Sequence, residues 1–318
     1  MSGRVRIFAG SVLFAGLALV ALLSPLIATD RPLAATSDGQ RHYPAFRAWI
    51  PTLLGETVSS GTRTAGESAL SAPVPFAPER IDLAVRLQPP SSRHWLGTDE
   101  LGRDLLSRMV HGARVSLLVG VSAAAFALLI GVLLGGIAGY AGGWADLAIS
   151  RAVEIVTAFP FLILLLALVA ILSPGVATII LALALTSWPS EARLVRGEVL
   201  RLRELEYAVA ARASGAGPGR VLLRHLLPNA IQPALVSASF GISAAIMIES
   251  AISFLGFGIP PPQSSWGTIL SSADEHLRRA WWLAVFPGLA IFVTVVASNL
   301  IGEGLRERLE RKRPGGAR

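Results

Sequence analysis

Residues 7–27 read IFAGSVLFAGLALVALLSPLI, an uncharged run preceded by Arg4 and Arg6. A helix needs about 20 apolar residues to cross the hydrocarbon core of a bilayer, so this run commits the chain to a membrane. It is longer than the roughly 7–15-residue apolar core of a cleaved signal and reads as a retained anchor with its N-terminus in the cytoplasm. Five further apolar stretches follow, at about 115–138, 152–172 (with Pro160 as a kink), 176–193, 231–257 and 281–301. The expected fold is an all-α membrane protein of about six transmembrane helices. Six crossings place both termini on one side.

Composition agrees. Hydrophobic residues make up 53% of the chain and charged residues 15%, against roughly 25% charged in soluble domains. Basic residues gather between Arg193 and Arg224 and in the ending RERLERKRPGGAR, which the positive-inside rule assigns to the cytoplasm. Arg103, Arg108 and Arg114 run against that rule, with Asp99, Glu100 and Asp104 beside them. Four regions result: 1–28, a cytoplasmic N-terminus and first helix; 29–93, an extended outer loop; 94–305, a core of five helices with a cytoplasmic loop at 191–228; and 306–318, a basic cytoplasmic tail. The outer loop is proline-rich and lacks a sustained helical or strand period. Trp49, Ile50, Leu53 and Leu54 suit one short packed turn within it.

Several chemistries are excluded. With no cysteine there is no disulfide, thiolate nucleophile or Cys-based metal site. The one lysine, Lys312, precedes Arg313 and Pro314, so no Gly-Lys-Ser/Thr phosphate loop exists and a partner must supply any ATPase. His42, His94, His111, His225 and His276 form no close ligand pair, and no metal site is expected. A serine-hydrolase elbow is missing. The net charge of +7 marks cytoplasmic segments rather than a nucleic-acid groove. A self-contained secondary transporter would need coupling charges within the spans, where Glu249 and Glu154 are the acids in or bordering apolar runs.

Gly131, Gly135 and Gly139 recur every fourth residue, the spacing of a close helix-packing seam. Between two spans lies YAVAARASGAGPGRVLLRHLLPN, residues 207–229. On a helix Ala208, Ala211 and Gly215 share a smooth face. Gly215, Gly217 and Pro218 then turn the chain into a second helix carrying Leu222/Leu226 and Leu223/Leu227 as a stripe, and Pro228 breaks it before the fifth span. The hairpin suits either a knuckle seated in a partner's groove or a loop lying on anionic headgroups. Glu249 lies roughly 30 Å beyond Pro228 along the fifth span. An intramembrane acid either faces a translocation path or reaches interfacial water or an arginine. In LGTDELGRD, the acids fit a turn that caps and pairs at the outer mouth better than a catalytic or metal site.

HWLGTDELGRDLLSRMVHGARVSLLVG from His94, LALALTSWPSEARLVRGEVL from Leu181 and SFLGFGIPPPQSSWGTIL from Ser253 resemble the second permease subunit of the dipeptide/oligopeptide/nickel ABC importers. The similarity runs from about Leu83 to Arg308. The hairpin is similar to that family's cytoplasmic coupling loop. The resemblance implies a permease bundle of the ABC-importer type working by alternating access. It also implies coupling through Glu206, Ala208, Val209, Ala210, Ala211, Arg212, Gly215 and Pro228. Implied partners are a second permease, two ATPases that use ATP and Mg, and an extracytoplasmic binding protein contacted near Asp99, Arg103, Asp104 and Trp266. Peptides are the implied substrate, with nickel or another small solute as the alternative. Two departures stand out. Val209 replaces the acid that usually opens the Glu-Ala-Ala signature, where Glu206 or Arg212 would have to substitute, and Ser214 replaces a large apolar residue.

Overall fold

The computed structural model describes residues 3–37, 40–53 and 68–312. The chain divides into two compact units, each built from separate stretches: Met1–Val12, Val119–Ala245 and Val295–Arg318 in one, Leu13–Leu118 and Ile246–Thr294 in the other. The long helices are α1 (Gly3–Ile27), α3 (Leu105–Ala141), α6 (Val176–Leu202), α9 (Leu227–Ile252) and α11 (Trp282–Lys312). Shorter ones are α2 (Pro44–Leu53), α4 (Gly143–Ala158), α5 (Phe161–Ile171), α7 (Glu206–Ala213), α8 (Pro218–Arg220) and α10 (Trp266–Ser271).

Four helical stretches are long and apolar enough to cross a membrane, or five if a bent pair counts as one span. The pair is α4 and α5, which meet at 90° around Pro160. The expected kink in one helix is therefore a full break, because Phe159 and Pro160 are both extended and a proline disfavours helix in the residue before it. Helix α6, expected as the fourth span, carries Glu191, Arg193, Arg196, Glu198 and Arg201 in its second half, and its apolar part is short. Large apolar side chains stay exposed along the spans, among them Phe8, Phe126, Ile163 and Phe292, as helices bathed in lipid require.

In the first unit, the α3 glycines form the close seam that their spacing predicts. A methyl on Gly135 would lie 3.0 Å from Cα of Ala192, and one on Gly139 would lie 2.8 Å from the carbonyl of Arg196. Backbones touch here because apolar side chains gain nothing by leaving lipid, so contact must come from closeness. Asp146 of α4 then clamps the same stretch of α6, accepting from Arg196 Nε at 2.5 Å and Nη2 at 2.7 Å. At the chain ends, Gly10 of α1 packs against Ala297 and Ile301 of α11, and Arg6 pairs with Glu307 at 2.8 Å.

In the second unit the described residues of the loop carry short strands and a helix that its sequence does not indicate. Strands β1 (Ala34–Ser37), β2 (Gln40–His42) and β3 (Ser68–Leu70) form an antiparallel sheet in the order β2-β1-β3, with Ala35 opposite His42 and Ala69. Strands of three or four residues are too short to show a period of two. Trp49 sits on α2 and donates to the carbonyl of Leu22 at 3.0 Å, so the expected turn is part of a ten-residue helix; Leu54 lies outside the described residues. The loop's return is pinned to the end of α1 by Val74 N–H to the Ile27 carbonyl at 2.9 Å and Thr29 N–H to the Val74 carbonyl at 3.1 Å.

The seam yields a test. Gly135→Leu should destabilise the protein by about 1–3 kcal/mol through overpacking. Gly241→Ala, whose methyl would meet only Ala124 Cβ at 3.7 Å, should leave the thermal melting of the detergent-solubilised protein unchanged.

Candidate functional site

The hairpin after α6 lies in the first unit and folds as a helix, a glycine turn and a second helix. Helix α7 ends in a paired-carbonyl cap. Gly215 N–H donates to Arg212 at 3.0 Å and Ala216 N–H to Ala211 at 3.1 Å, with Gly215 at φ +82°. A left-handed residue at this position is what such a cap needs, and glycine adopts it without strain. Arg212 reaches back to the carbonyl of Arg203 at 2.9 Å, and Arg203 donates to the carbonyl of Gly139 at 3.0 Å. Pro218 then opens α8 at its first position, where its missing N–H costs nothing.

Of the small-residue face, Ala208 and Ala211 turn inward while Gly215 stays exposed. Ala208 is fully buried against Val195, Val199, Leu202, Val221 and Leu226, with Ala211 and Ala216 packed on the same cluster. The face left outside is Glu206, Val209, Ala210 and Ala213, all exposed and spaced at i, i+3, i+4 and i+7. Val209 is 47% exposed. Arg212, Gly215 and Pro228 are also exposed. A smooth face serves docking and close packing equally well, and here the chain's own core has taken it.

The sequence suggests a break at Pro228, and the helix instead runs through it. Residues Val221–Leu226 form a π turn that runs directly into α9, and Leu227 N–H reaches the carbonyl of Leu222. The wider turn relieves the clash that a proline ring makes with the carbonyl four residues back. It also rotates the leucine stripe: Leu226 is buried and Leu222 half-buried, while Leu223 is exposed.

A buried acid missed in sequence stands nearby. Glu191 of α6 is buried, accepts from Ser237 Oγ at 2.7 Å, and leaves its other oxygen without a partner. Its place at the frayed edge of an apolar run disguised it as a loop residue. Glu154, by contrast, is exposed and pairs with Arg151.

In the second unit Glu249 is fully enclosed. Its Oε1 accepts from Ser265 Oγ at 2.6 Å and Ser253 Oγ at 2.8 Å, while Oε2 has no partner. It pairs with no arginine among the described residues. The carboxylate thus fastens the end of α9 to the start of α10, where Ser265 and Thr268 form a reciprocal cap. Beside it Trp266 is buried, its N–H held by Ser116 Oγ at 3.0 Å and its indole by the Met109 carbonyl at 3.1 Å.

The acids of LGTDELGRD pair and cap, as their pattern suggests. Asp99 accepts from Arg103 Nε at 2.7 Å, Arg108 Nη1 at 2.5 Å, and the amides of Leu101 and Arg103 at 2.9 Å each. Asp104 accepts from the Ser107 amide at 2.8 Å at the start of α3 and meets His94 Nδ1 at 2.8 Å. Asp99, Asp104 and Trp266 are all buried, so these side chains hold the unit together. Arg103 is half-buried. No group of three or more His, Cys, Asp or Glu able to hold a metal is found among the described residues.

Two substitutions separate holding from transport. Glu249→Gln keeps one acceptor for Ser265 and Ser253 and should preserve the melting temperature, whereas Glu249→Leu strands both hydroxyls at about 1–3 kcal/mol each. Asp99→Ala leaves two arginines without their shared partner and should cost about 3–5 kcal/mol, read as loss of folded protein in the membrane.

The family described as the inner membrane component of binding-protein-dependent transport systems matches residues 131–313. The chain is 45% identical over 227 residues to the dipeptide transport system permease protein DppC of Alkalihalophilus pseudofirmus, covering 71% of this chain and 75% of that one. It is 44% identical over 252 residues to the di/tripeptide transport system permease protein DppC of Pseudomonas aeruginosa, covering 77% and 83%. It is 44% identical over 223 residues to the glutathione transport system permease protein GsiD of Pectobacterium atrosepticum, covering 70% and 74%. The matched stretch takes in α4 to α11 and the whole α7–α8 hairpin, and the chain belongs to the family of inner membrane components of binding-protein-dependent transport systems.

Proposed function

We propose that this chain is one of two permease subunits of an importer that carries short peptides across the bacterial inner membrane, driven by ATP hydrolysis in partner subunits. The similarity to permeases named for dipeptides, di/tripeptides and glutathione supports the substrate class. The observation that carries the coupling role is the α7 hairpin: its outer face is small and exposed while its inner face is fused to α6 and the π turn. A partner pressing on Glu206, Val209, Ala210 and Ala213 moves α6 with it, because Ala208 leaves no slack. The chain is a transport subunit without its own ATPase site; two ATPase subunits use ATP and Mg, and a binding protein delivers the peptide. Both termini lie in the cytoplasm, on the side of the arginine-rich hairpin.

Purification of the chain co-expressed with its operon neighbours tests this reading. It should bring down a second permease and two phosphate-loop ATPases, and proteoliposomes should take up labelled dipeptide only with ATP and the binding protein. Uptake by the chain alone without ATP would refute the assignment. Within that assembly Val209→Glu should preserve or strengthen peptide-stimulated ATPase activity, since the position faces the partner. Ala213→Trp should leave a folded chain that no longer stimulates ATPase, whereas Ala208→Trp should prevent folding.

A further inference from the structure

One cavity of about 770 Å³ in the second unit belongs to none of these features. Its walls include Asp30 just beyond α1, Phe76 and Arg80 from the loop's return, Arg93 and Trp95 ahead of α3, and Leu106 on α3. Its volume lies within the roughly 300–1,000 Å³ of small-ligand sites. Asp104 also reaches this wall, but its carboxylate is engaged by His94 and the Ser107 amide. Asp30, Arg80 and Arg93 are different. None of them makes an ion pair with any described residue, although charges of both signs line the same space. Arg80, Arg93 and Trp95 are exposed and Asp30 is half-buried. Opposite charges that share a cavity without meeting are complementary to a ligand bearing one charge of each sign. Arginine forks suit a carboxylate, and an aspartate suits an ammonium. Phe76, Trp95 and Leu106 offer apolar surface for a side chain.

We propose that this cavity binds a short zwitterionic peptide by its two ends, Asp30 taking the ammonium and Arg80 with Arg93 the carboxylate. The ligand class rests on the peptide-import reading, while the site itself rests on the cavity and its unpaired charges. The intact transporter in nanodiscs, without its binding protein, is titrated calorimetrically with alanyl-phenylalanine, its N-acetyl form and its C-terminal amide. The free dipeptide should bind saturably, and each blocked form about tenfold more weakly. Asp30→Asn should abolish discrimination against the acetylated form, and the double variant Arg80→Gln/Arg93→Gln discrimination against the amide.

Equal affinity for free and blocked peptides overturns the proposal. So does binding that all variants retain, which would put the peptide elsewhere in the protein. Variants that lose recruitment of the binding protein, in a transporter that binds no free peptide, would mark a protein-docking face and overturn the peptide site. ATP-driven uptake is measured separately: uptake without binding at the cavity removes the cavity alone, and failure to import any peptide removes the import reading.

Discussion

Closeness of backbone to backbone is the constraint on which the first unit depends. In lipid the hydrophobic effect cannot press helices together, and attraction comes from dispersion and buried polar contacts over short distances. Gly135 and Gly139 let α3 lie directly on Ala192, Arg196 and Val199 of α6. That placement fixes everything α6 carries: Glu191 facing Ser237, Arg196 facing Asp146, and Val195, Val199 and Leu202 as the platform for Ala208. A side chain at the seam would displace the platform, and the hairpin with it.

The buried carboxylates share one logic. Asp99, Asp104, Glu191 and Glu249 are each held by hydroxyls, amides or arginines of their own unit. Such groups cost desolvation and repay it only with close partners, so they tie particular segments together rather than adding bulk stability. Glu249 joins the end of α9 to α10, and Asp99 gathers two arginines that would otherwise repel each other.

Much of this was legible in the sequence. Apolar length revealed the long membrane helices, although four or five rather than six stretches reach the length of a span; glycine spacing revealed the seam, and the Gly215–Pro218 punctuation revealed a helix-turn-helix. Three things were not legible. Whether Pro160 bends or breaks a helix, and whether Pro228 does either, depends on neighbouring backbone geometry, and the π turn that accommodates Pro228 leaves no local signature. The pairing of β1 with β3 spans more than thirty intervening positions, as between Ala34 and Leu70. The direction in which the Ala208/Ala211 face points was decided by packing against α6, which no helical wheel contains.

That direction divides the hairpin into positions answering to two different masters. Residues 208, 211 and 216 are bound to this chain's own interior, whereas 206, 209, 210 and 213 face outward. Substitutions in the first group should drift in step with α6, and those in the second in step with whatever protein sits against them. Under the proposed coupling role, exchanging the motor of such a transporter is a matter of refitting four surface positions, and the valine at 209 is as informative about the motor's groove as about the permease that bears it.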